Sequence, residues 1–391
     1  MRRVIFVLTM ALLLSQAAAA QIGKDIIVSA GSAEDKALRT INETTDPGQK
    51  IALLDKFLAD YGKGDMAIAA YELYIAAYAS QKNYDQAFAM GDKMFAVDPD
   101  SFATALKLFQ IAQEKKDPEK MFTYGERLQD IVARFKARPA PAGMGADQWK
   151  KRQAEALAEV KENVNYVQYA LFQAANQQTD PARRAALLER YGAGFTDSPY
   201  AANAQSLAAS AYQQAKDYRK MQAFAQKILT RDPANVGMLL LLADDASERG
   251  IDLDKAEENA HRALDLLGKA AKPEGTETET LSDAQWAQQK SVQQGLAWSS
   301  IGQVRLQRKQ NAQAVEAFKT ASPLLKSDNF SYARNQYRMG FALINLKRMA
   351  DARAAFAEAA SVDSAYKGPA QEKLTGIPAT AAGKRPAKKR P

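Results

Sequence analysis

The chain has 391 residues, which exceeds the usual size of one domain and predicts two or three modules. Hydrophobic residues make up 47% of the sequence, and the alternation of β-branched residues that is typical of strands is nearly absent. The chain contains no cysteine, which excludes disulfides, thiolate metal sites, cysteine nucleophiles and a lipid-anchored cysteine. These properties favour an all-α protein with an extensive buried core.

The formal net charge of +8 is concentrated at the two ends of the chain. Arg2 and Arg3 lie near the start, and five lysines and arginines lie within the last eight residues. The rest of the chain is therefore close to neutral. Because a folded nucleic-acid-binding domain needs a basic face to neutralise phosphates, this distribution argues against a nucleic-acid partner.

The first 20 residues have the pattern of a secretory signal peptide. Arg2 and Arg3 precede an apolar run over residues 4–14, and Ala18 to Ala20 provide the small residues of a cleavage site. The apolar run is shorter than the about 20 residues that a membrane-spanning helix needs. We predict a signal peptide over residues 1–20, cleavage after Ala20 and export to the periplasm or the medium. An uncleaved anchor is the alternative.

Downstream of this segment, apolar residues recur at helical spacing, and turn residues separate the helical runs. Asp46 and Pro47 illustrate a predicted start, with an N-cap residue followed by proline at the first helical position. We predict helices over approximately residues 33–41, 47–61, 66–81, 84–97, 101–115, 118–136, 147–177, 181–193, 199–216, 218–231, 235–249 and 253–269.

Part of this helical region repeats an earlier part at an offset of 134 positions. The Thr-Asp-Pro sequence at residues 179–181 matches the one at residues 45–47, and no gap is needed as far as residue 233. The other matched pairs are Asn176 with Asn42, Leu187 with Leu53, Leu188 with Leu54, Tyr212 with Tyr78, Tyr218 with Tyr84, Lys227 with Lys93, Asp232 with Asp98 and Pro233 with Pro99. This pattern indicates an internal duplication, which is the signature of a repeat architecture.

Two loop-like stretches divide the helical runs. Residues 138–146 are rich in proline and glycine, and residues 272–283 are polar and acidic without apolar periodicity. The predicted order of segments is a first module over residues 25–137, a second over 147–270 with a long connector helix, a third over 283–374 and a disordered basic tail over 375–391.

The third module resembles the tetratricopeptide repeat family. One unit has Trp298, Ile301, Gly302, Ala314, Phe318 and Ala321 at the family's spacing, and the next has Met339, Gly340, Leu343, Ala352, Phe356 and Ala359. The small residue on the first helix of each pair lets the second helix approach, and the aromatic residue fills the gap to the next pair. In the duplicated region Ile75 and Ala209 stand where the family has glycine. The resemblance implies an α-solenoid of antiparallel helix pairs.

The family binds extended peptides or partner helices in a groove lined by the first helices of its pairs. The resemblance therefore implies groove-facing positions at Asn203, Ser206, Ser210, Gln213, Arg334, Tyr337 and Phe341. Tyr337 and Phe341 have an alternative role, which is to pack against a C-terminal capping helix over about residues 364–374. The family's chaperone-tail clamp is not supported, because its asparagine position holds other residues. These are Ala76, Gln110, Ser210, Gln303 and Phe341.

The polar residues give no sign of catalysis or of a cofactor. The single histidine, His261, has no second strong metal ligand at a suitable spacing, so a surface position is the better interpretation. The adjacent acids Asp244 and Asp245 are predicted to be solvated and to point in different directions. No phosphate-binding glycine loop, nucleophile elbow or His/Glu metal motif is present. We predict a non-enzyme without a cofactor or metal.

The sequence as a whole therefore favours an exported scaffold that binds a protein or peptide partner in the bacterial cell envelope. A structural role in cell-wall or outer-membrane assembly is the main alternative, and an enzyme is a weaker one. The basic tail could make weak contact with an anionic envelope surface, at about 1 kcal/mol per charge. A tail without a function is equally compatible with its composition.

Overall fold

The computed structural model describes residues 22–24, 26–272 and 281–377. These residues form seventeen α-helices and no strand, which confirms the predicted all-α class. The helices are α1 (Ala33–Glu43), α2 (Pro47–Tyr61), α3 (Met66–Ser80), α4 (Tyr84–Val97), α5 (Phe102–Glu114), α6 (Pro118–Ala137), α7 (Ala146–Asn176), α8 (Pro181–Gly194), α9 (Ala201–Gln214), α10 (Tyr218–Arg231), α11 (Val236–Arg249), α12 (Leu253–Lys269), α13 (Asp283–Gln307), α14 (Asn311–Leu324), α15 (Asn329–Asn345), α16 (Met349–Ser361) and α17 (Lys367–Gly376).

Three helices begin at the Asp-Pro pairs that the sequence presents. The Oδ1 atoms of Asp46, Asp117 and Asp180 accept hydrogen bonds from the backbone N–H three residues later, at 2.8, 3.1 and 2.6 Å. Each cap satisfies one of the N–H groups that the first helical turn leaves without a partner. The following proline has no N–H to satisfy and already has a helical φ.

Five turns inside helix pairs have a lysine in an unusual backbone conformation. Lys82, Lys116, Lys216, Lys309 and Lys347 all have φ between 57° and 62°, in the left-handed region. At the first of them the Lys82 N–H donates to the Ala79 carbonyl, and the Asn83 N–H donates to the Tyr78 carbonyl, both at 2.9 Å. These two bonds form a Schellman motif, in which glycine is the usual residue at the left-handed position.

The duplicated sequence has a duplicated backbone. Helices α4 and α10 have the same bounds once 134 positions are subtracted from α10. The residues before them, Asn83 and Asp217, share φ −85° and ψ 67°, and the residues after them have φ −127° at Asp98 and −128° at Asp232. The backbone of this pair therefore follows the repeat seen in the sequence.

The structure contains two compact units. Of the described residues, unit 1 comprises those up to Thr179 together with residues 187–204, and unit 2 comprises residues 180–186 and those from Gln205 onward. In unit 1 the fully buried side chains include Leu54, Phe57, Ile75, Phe109 and Phe122. The predicted division into three modules stays a prediction, and the predicted signal peptide and most of the basic tail lie outside the described residues.

The helix pairs of unit 2 pack as the tetratricopeptide resemblance implies. A Cβ atom on Gly302 would lie 2.6 Å from the ring of Phe318, and one on Gly340 would lie 2.6 Å from the ring of Phe356. Both phenylalanines are fully buried. Glycine on the first helix thus creates the space that the aromatic ring of the second helix fills. The tetratricopeptide-like packing of antiparallel helix pairs is confirmed at these positions.

Among residues 22–24, 26–272 and 281–377, no helix combines the length and the apolar composition that crossing a bilayer requires.

Candidate functional site

The first helices of three successive pairs in unit 2 bring polar side chains together. Helix α13 contacts both α11 and α15, and charged and hydrogen-bonding side chains form part of the surface where the three helices meet. We call this set the polar face of unit 2. It comprises Asp244 and Glu248 of α11, Ser299 and Gln303 of α13, and Arg334 and Arg338 of α15.

Two arginines hold the carboxylate of Asp244. Arg334 Nη1 donates to Asp244 Oδ2 at 2.9 Å, and Arg338 Nη2 lies 3.3 Å from Asp244 Oδ1. Burial alone would raise the pKa of Asp244, but the positive charges of Arg334 and Arg338 outweigh it and lower the pKa. The carboxylate is therefore ionised at neutral pH.

Arg338 links all three helices. Its Nη1 donates to Ser299 Oγ at 3.2 Å, and its guanidinium group also pairs with Glu248. Only 6% of its side chain is exposed. Because a buried guanidinium group without acceptors is costly, these partners are needed for Arg338 to be buried. The ion pairs therefore connect α11 to α15, past the intervening helix α13.

Two polar atoms of this face have no partner within the described part of the chain. They are Arg334 Nε, a donor, and Gln303 Oε1, an acceptor, and both are shielded from solvent. Gln303 as a whole is 8% exposed. Buried polar groups in native proteins nearly always have a hydrogen-bond partner. The unmet donor and the unmet acceptor on this face are exceptions to that rule.

Two of the predicted groove residues pack against the C-terminal helices instead of lining a free surface. The Tyr337 ring lies 5.5 Å from the rings of Phe356 and Tyr366, and the Phe341 ring lies 5.5 Å from that of Phe356. Lys373 of α17 lies over the Phe341 ring, at 5.6 Å. This arrangement matches the alternative role of packing at the C-terminal cap. The partner-binding role of Tyr337 and Phe341 stays a prediction.

Four of the other predicted positions lie on α9, whose residues are divided between the two units. Asn203 belongs to unit 1 and is exposed, whereas Ser206, Ser210 and Gln213 belong to unit 2 and are half-buried. The Ser210 hydroxyl donates to the Ser206 carbonyl of the same helix, at 3.2 Å. Arg334 is the predicted residue that the structure places in the polar face.

The prediction that Asp244 and Asp245 are solvated is wrong. The Asp245 side chain is 2% exposed and pairs with Arg249 at 3.0 Å, while Asp244 faces α15. The two acids do point in different directions, because adjacent residues on a helix diverge. The sequence signal that we missed is the i, i+4 spacing of Asp244 with Glu248 and of Arg334 with Arg338, which places like charges on one helical face.

His261 is exposed, with its ring 6.5 Å from that of Trp298. In the ranges that the structure describes, no group of three or more His, Asp or Glu side chains could hold a metal ion.

Neither a family model nor a curated protein matches the sequence. Similar solved structures include NprR in complex with its cognate peptide NprX, which is 12% identical, with 88% of this chain and 81% of that chain covered and a TM-score of 0.31. The P58(IPK) TPR domain is 11% identical, with 88% and 98% covered and a TM-score of 0.30. Yeast Tom70 is 10% identical, with 88% and 94% covered and a TM-score of 0.21. TM-scores this low do not establish a common fold, so the assignment of helix pairs rests on the packing within this chain.

Proposed function

We propose that this protein is a non-enzymatic scaffold that binds an extended peptide or a partner helix through the first helices of its pairs. The observation that carries the proposal is the polar face of unit 2, where Arg334 Nε and Gln303 Oε1 lack partners. A peptide backbone offers a carbonyl acceptor and an N–H donor in every residue. An extended peptide therefore carries both kinds of group that Arg334 Nε and Gln303 Oε1 lack.

The charges of the polar face favour binding over catalysis. The carboxylate of Asp244 is occupied by Arg334 and Arg338, and the latter also pairs with Glu248. A general base needs a free lone pair within reach of a substrate proton. Groups that neutralise one another in ion pairs are better suited to holding helices and a ligand in position.

A binding experiment with a matched control tests this proposal. An array of random extended peptides is probed with the processed protein, with Gln303→Met and with Gln110→Met. Gln303 and Gln110 hold the same position of their repeats, but Gln110 is exposed on α5. We expect Gln303→Met to weaken the bound peptides about tenfold, because their N–H group loses its acceptor, and Gln110→Met to have no effect.

If the unmodified protein binds no peptide on the array, the proposed binding function fails, and the structural alternative in envelope assembly is favoured. If Gln303→Met and Gln110→Met bind equally well, the protein binds peptides but not through the polar face.

The proposed setting is the bacterial cell envelope, and its support is the signal-like sequence of residues 1–20. Mass spectrometry of the protein from a Gram-negative host should find Gln21 as the first residue. An intact Met1 would contradict export with cleavage.

The basic tail supports a weaker part of the proposal, contact with an anionic envelope surface. Deletion of residues 383–391 should reduce association with envelope fractions at low salt, because each charge contributes about 1 kcal/mol near an anionic surface. Unchanged association would show that the tail does not make this contact.

A further inference from the structure

Three residues at the start of the described chain lie against unit 1 in the manner of a bound peptide. We call residues 22–24 the N-terminal segment, and residues 98–102 the Asp98 turn. The Phe102 N–H donates to the Ile22 carbonyl at 3.2 Å, and the Lys24 N–H donates to Asp98 Oδ2 at 2.9 Å. The segment is thus held by its own backbone, which is how proteins hold extended peptides.

The side chains of the segment have defined environments as well. Ile22 is 5% exposed, although it lies close to the end of the described chain. At the other end of the segment Lys24 Nζ pairs with Asp65 Oδ1 at 2.8 Å. The contacts therefore bury the apolar side chain of Ile22 and pair the positive charge of Lys24 with a carboxylate.

Gly23 is the residue that the site constrains most tightly. Its φ is +134°, a value that other residues rarely adopt, and a Cβ atom would lie 3.0 Å from Asp98 Oδ2 and 3.3 Å from Ser101 Cα. A side chain at this position would press against the Asp98 turn and would have to adopt a strained backbone conformation. The segment that occupies the site therefore has an apolar residue, a glycine and a basic residue, and the ion pair of the basic residue with Asp65 is half exposed.

The duplicated turn shows why the Asp98 turn accepts an outside N–H group. In the Asp232 turn, residues 232–236, Asp232 Oδ1 accepts from the Ala234 N–H at 3.2 Å, just as Asp98 Oδ1 accepts from the Asp100 N–H. The second oxygen of Asp232 accepts from the side chain of Asn235 at 3.1 Å.

The first copy has Ser101 at the position of Asn235, and its hydroxyl donates instead to Thr104 Oγ1, at 2.9 Å. The second oxygen of Asp98 is therefore left for the N-terminal segment. Asp98 is 3% exposed with the segment in place, so this oxygen is a buried acceptor that needs a donor.

We propose that the Asp98 turn, together with Asp65, is a recognition site for an extended segment with the pattern apolar–glycine–basic. Residues 22–24 occupy it as an internal ligand, directly behind the predicted cleavage position after Ala20. A separate peptide with the same pattern should compete with residues 22–24 for the site. The site shares no residue with the polar face of unit 2, so the two proposals fail separately.

A peptide added in trans tests the site. The probe is a labelled pentapeptide with the sequence of residues 21–25, Gln-Ile-Gly-Lys-Asp, and binding is measured by fluorescence anisotropy. We expect it to bind a chain that begins at residue 26, and to bind the processed full chain at least tenfold more weakly because the internal ligand competes.

Two controls separate recognition from non-specific attraction. The same peptide with Gly23→Ala should bind the shortened chain at least tenfold more weakly, and this change cannot affect the fold of the protein. In the shortened chain, Asp98→Ala should weaken binding by a similar factor, whereas Asp232→Ala in the duplicated turn should not change it.

The proposal is overturned if a shortened chain with unchanged circular dichroism binds neither peptide, or binds both equally. If the shortened chain loses its helical signal, hydrogen exchange on the processed full chain decides the matter. There Gly23→Ala should accelerate exchange of the Phe102 and Lys24 amides at least tenfold, and unchanged exchange would refute the proposal.

Discussion

The two copies of the duplicated sequence have the same backbone conformation but different side chains at positions that contact other helices. Asp98 and Asp232 are the C-cap residues of equivalent helices. Lys82 and Lys216 lie in equivalent turns between helices, with φ of 57° and 59°. On the helix after the Asp turn, the first copy has Gln110 and Ile111 where the second has Asp244 and Asp245. The two copies thus have the same residues at these helix ends and turns, whereas the residues that contact other helices differ.

The buried position on this helix shows the difference most directly. Ile111 and Asp245 occupy it in the two copies, and each is 2% exposed. The first copy fills the position with an apolar side chain, whereas the second fills it with a carboxylate that needs Arg249 and Gln222 as partners. The same backbone position therefore holds an apolar side chain in one copy and a carboxylate in the other.

The largest expected effect concerns Asp244 and its counterpart. Replacement of Asp244 by alanine leaves the guanidinium groups of Arg334 and Arg338 without their shared acceptor, and should lower the free energy of unfolding by about 3–5 kcal/mol. Gln110→Ala in the first copy should change it by about 0.5 kcal/mol or less, because Gln110 is exposed. Urea unfolding followed by circular dichroism measures both. Equal effects would mean that the ion pairs of the second copy do not matter.

The next effect concerns the contact between α4 and α5, which belong to successive helix pairs. A Cβ atom on Gly91 would overlap Leu108, whereas the second copy accommodates Ala225 at the matching position with no exposure. Gly91→Ala should destabilise the protein by about 1–3 kcal/mol through overpacking. Ala225→Gly should cost only about 1 kcal/mol, from helix propensity. Thermal unfolding of the two variants compares them. A stabilising Gly91→Ala would show that Leu108 moves aside freely.

A pH series distinguishes the two adjacent acids of the second copy. Burial raises the pKa of Asp245, despite the opposing effects of Arg249 and Gln222 and with a further increase from Asp244. A group whose pKa is higher in the folded state stabilises the fold below its unfolded pKa, which is about 3.9 for aspartate. This stabilisation is lost as the pH rises through the folded pKa. Asp245→Asn should therefore gain stability relative to the unmodified protein between pH 4 and pH 7, by on the order of 1 kcal/mol.

Asp244 should show the opposite dependence. Burial would raise its pKa, but Arg334 and Arg338 lower it below the ordinary value. Its contribution is present above the unfolded pKa and is lost as the pH falls through the folded pKa. The loss of unfolding free energy caused by Asp244→Ala should therefore be smaller at acidic pH than at neutral pH. Parallel pH dependence of the two variants in urea unfolding would contradict the assignment of their partners.

The smallest effect should be the same in both copies. Lysine in the left-handed region is less favourable than glycine, so Lys82→Gly and Lys216→Gly should each raise the free energy of unfolding by about 0.5 kcal/mol. Because the backbone of the two turns is alike, the two gains should agree within the error of the measurement. A gain in one copy and a loss in the other would show that one lysine side chain has a role of its own.

The sequence predicts the helices well because their ends are encoded locally. Asp-Pro pairs mark the starts of α2, α6 and α8, and the predicted bounds of α4, α10 and α12 agree with the structure. The glycine and phenylalanine pairs of α13 to α16 were also predictable, since their spacing reflects contact within one repeat. Local signals of this kind need no knowledge of the tertiary structure.

The candidate site was predictable only in part. Arg334 was named from its repeat position, but its partner Asp244 lies 90 residues away, and the pairing depends on how three first helices stack. Burial of Asp245 depends on distant elements as well, since its partner Gln222 lies 23 residues away, whereas the i, i+4 spacing of Asp245 and Arg249 was visible in the sequence. The N-terminal contact was not predictable either, since Asp98 and Lys24 are 74 residues apart.

The ion pairs between α11 and α15 also bear on how unit 2 unfolds. In most repeat proteins each helix pair contacts only its neighbours, so stability is a sum of nearest-neighbour terms and the ends can fray independently. Asp244 and Arg338 join pairs that are not adjacent, because α13 lies between them. This link makes the melting of α11 and α15 interdependent, and unit 2 should lose its structure in one cooperative step rather than pair by pair.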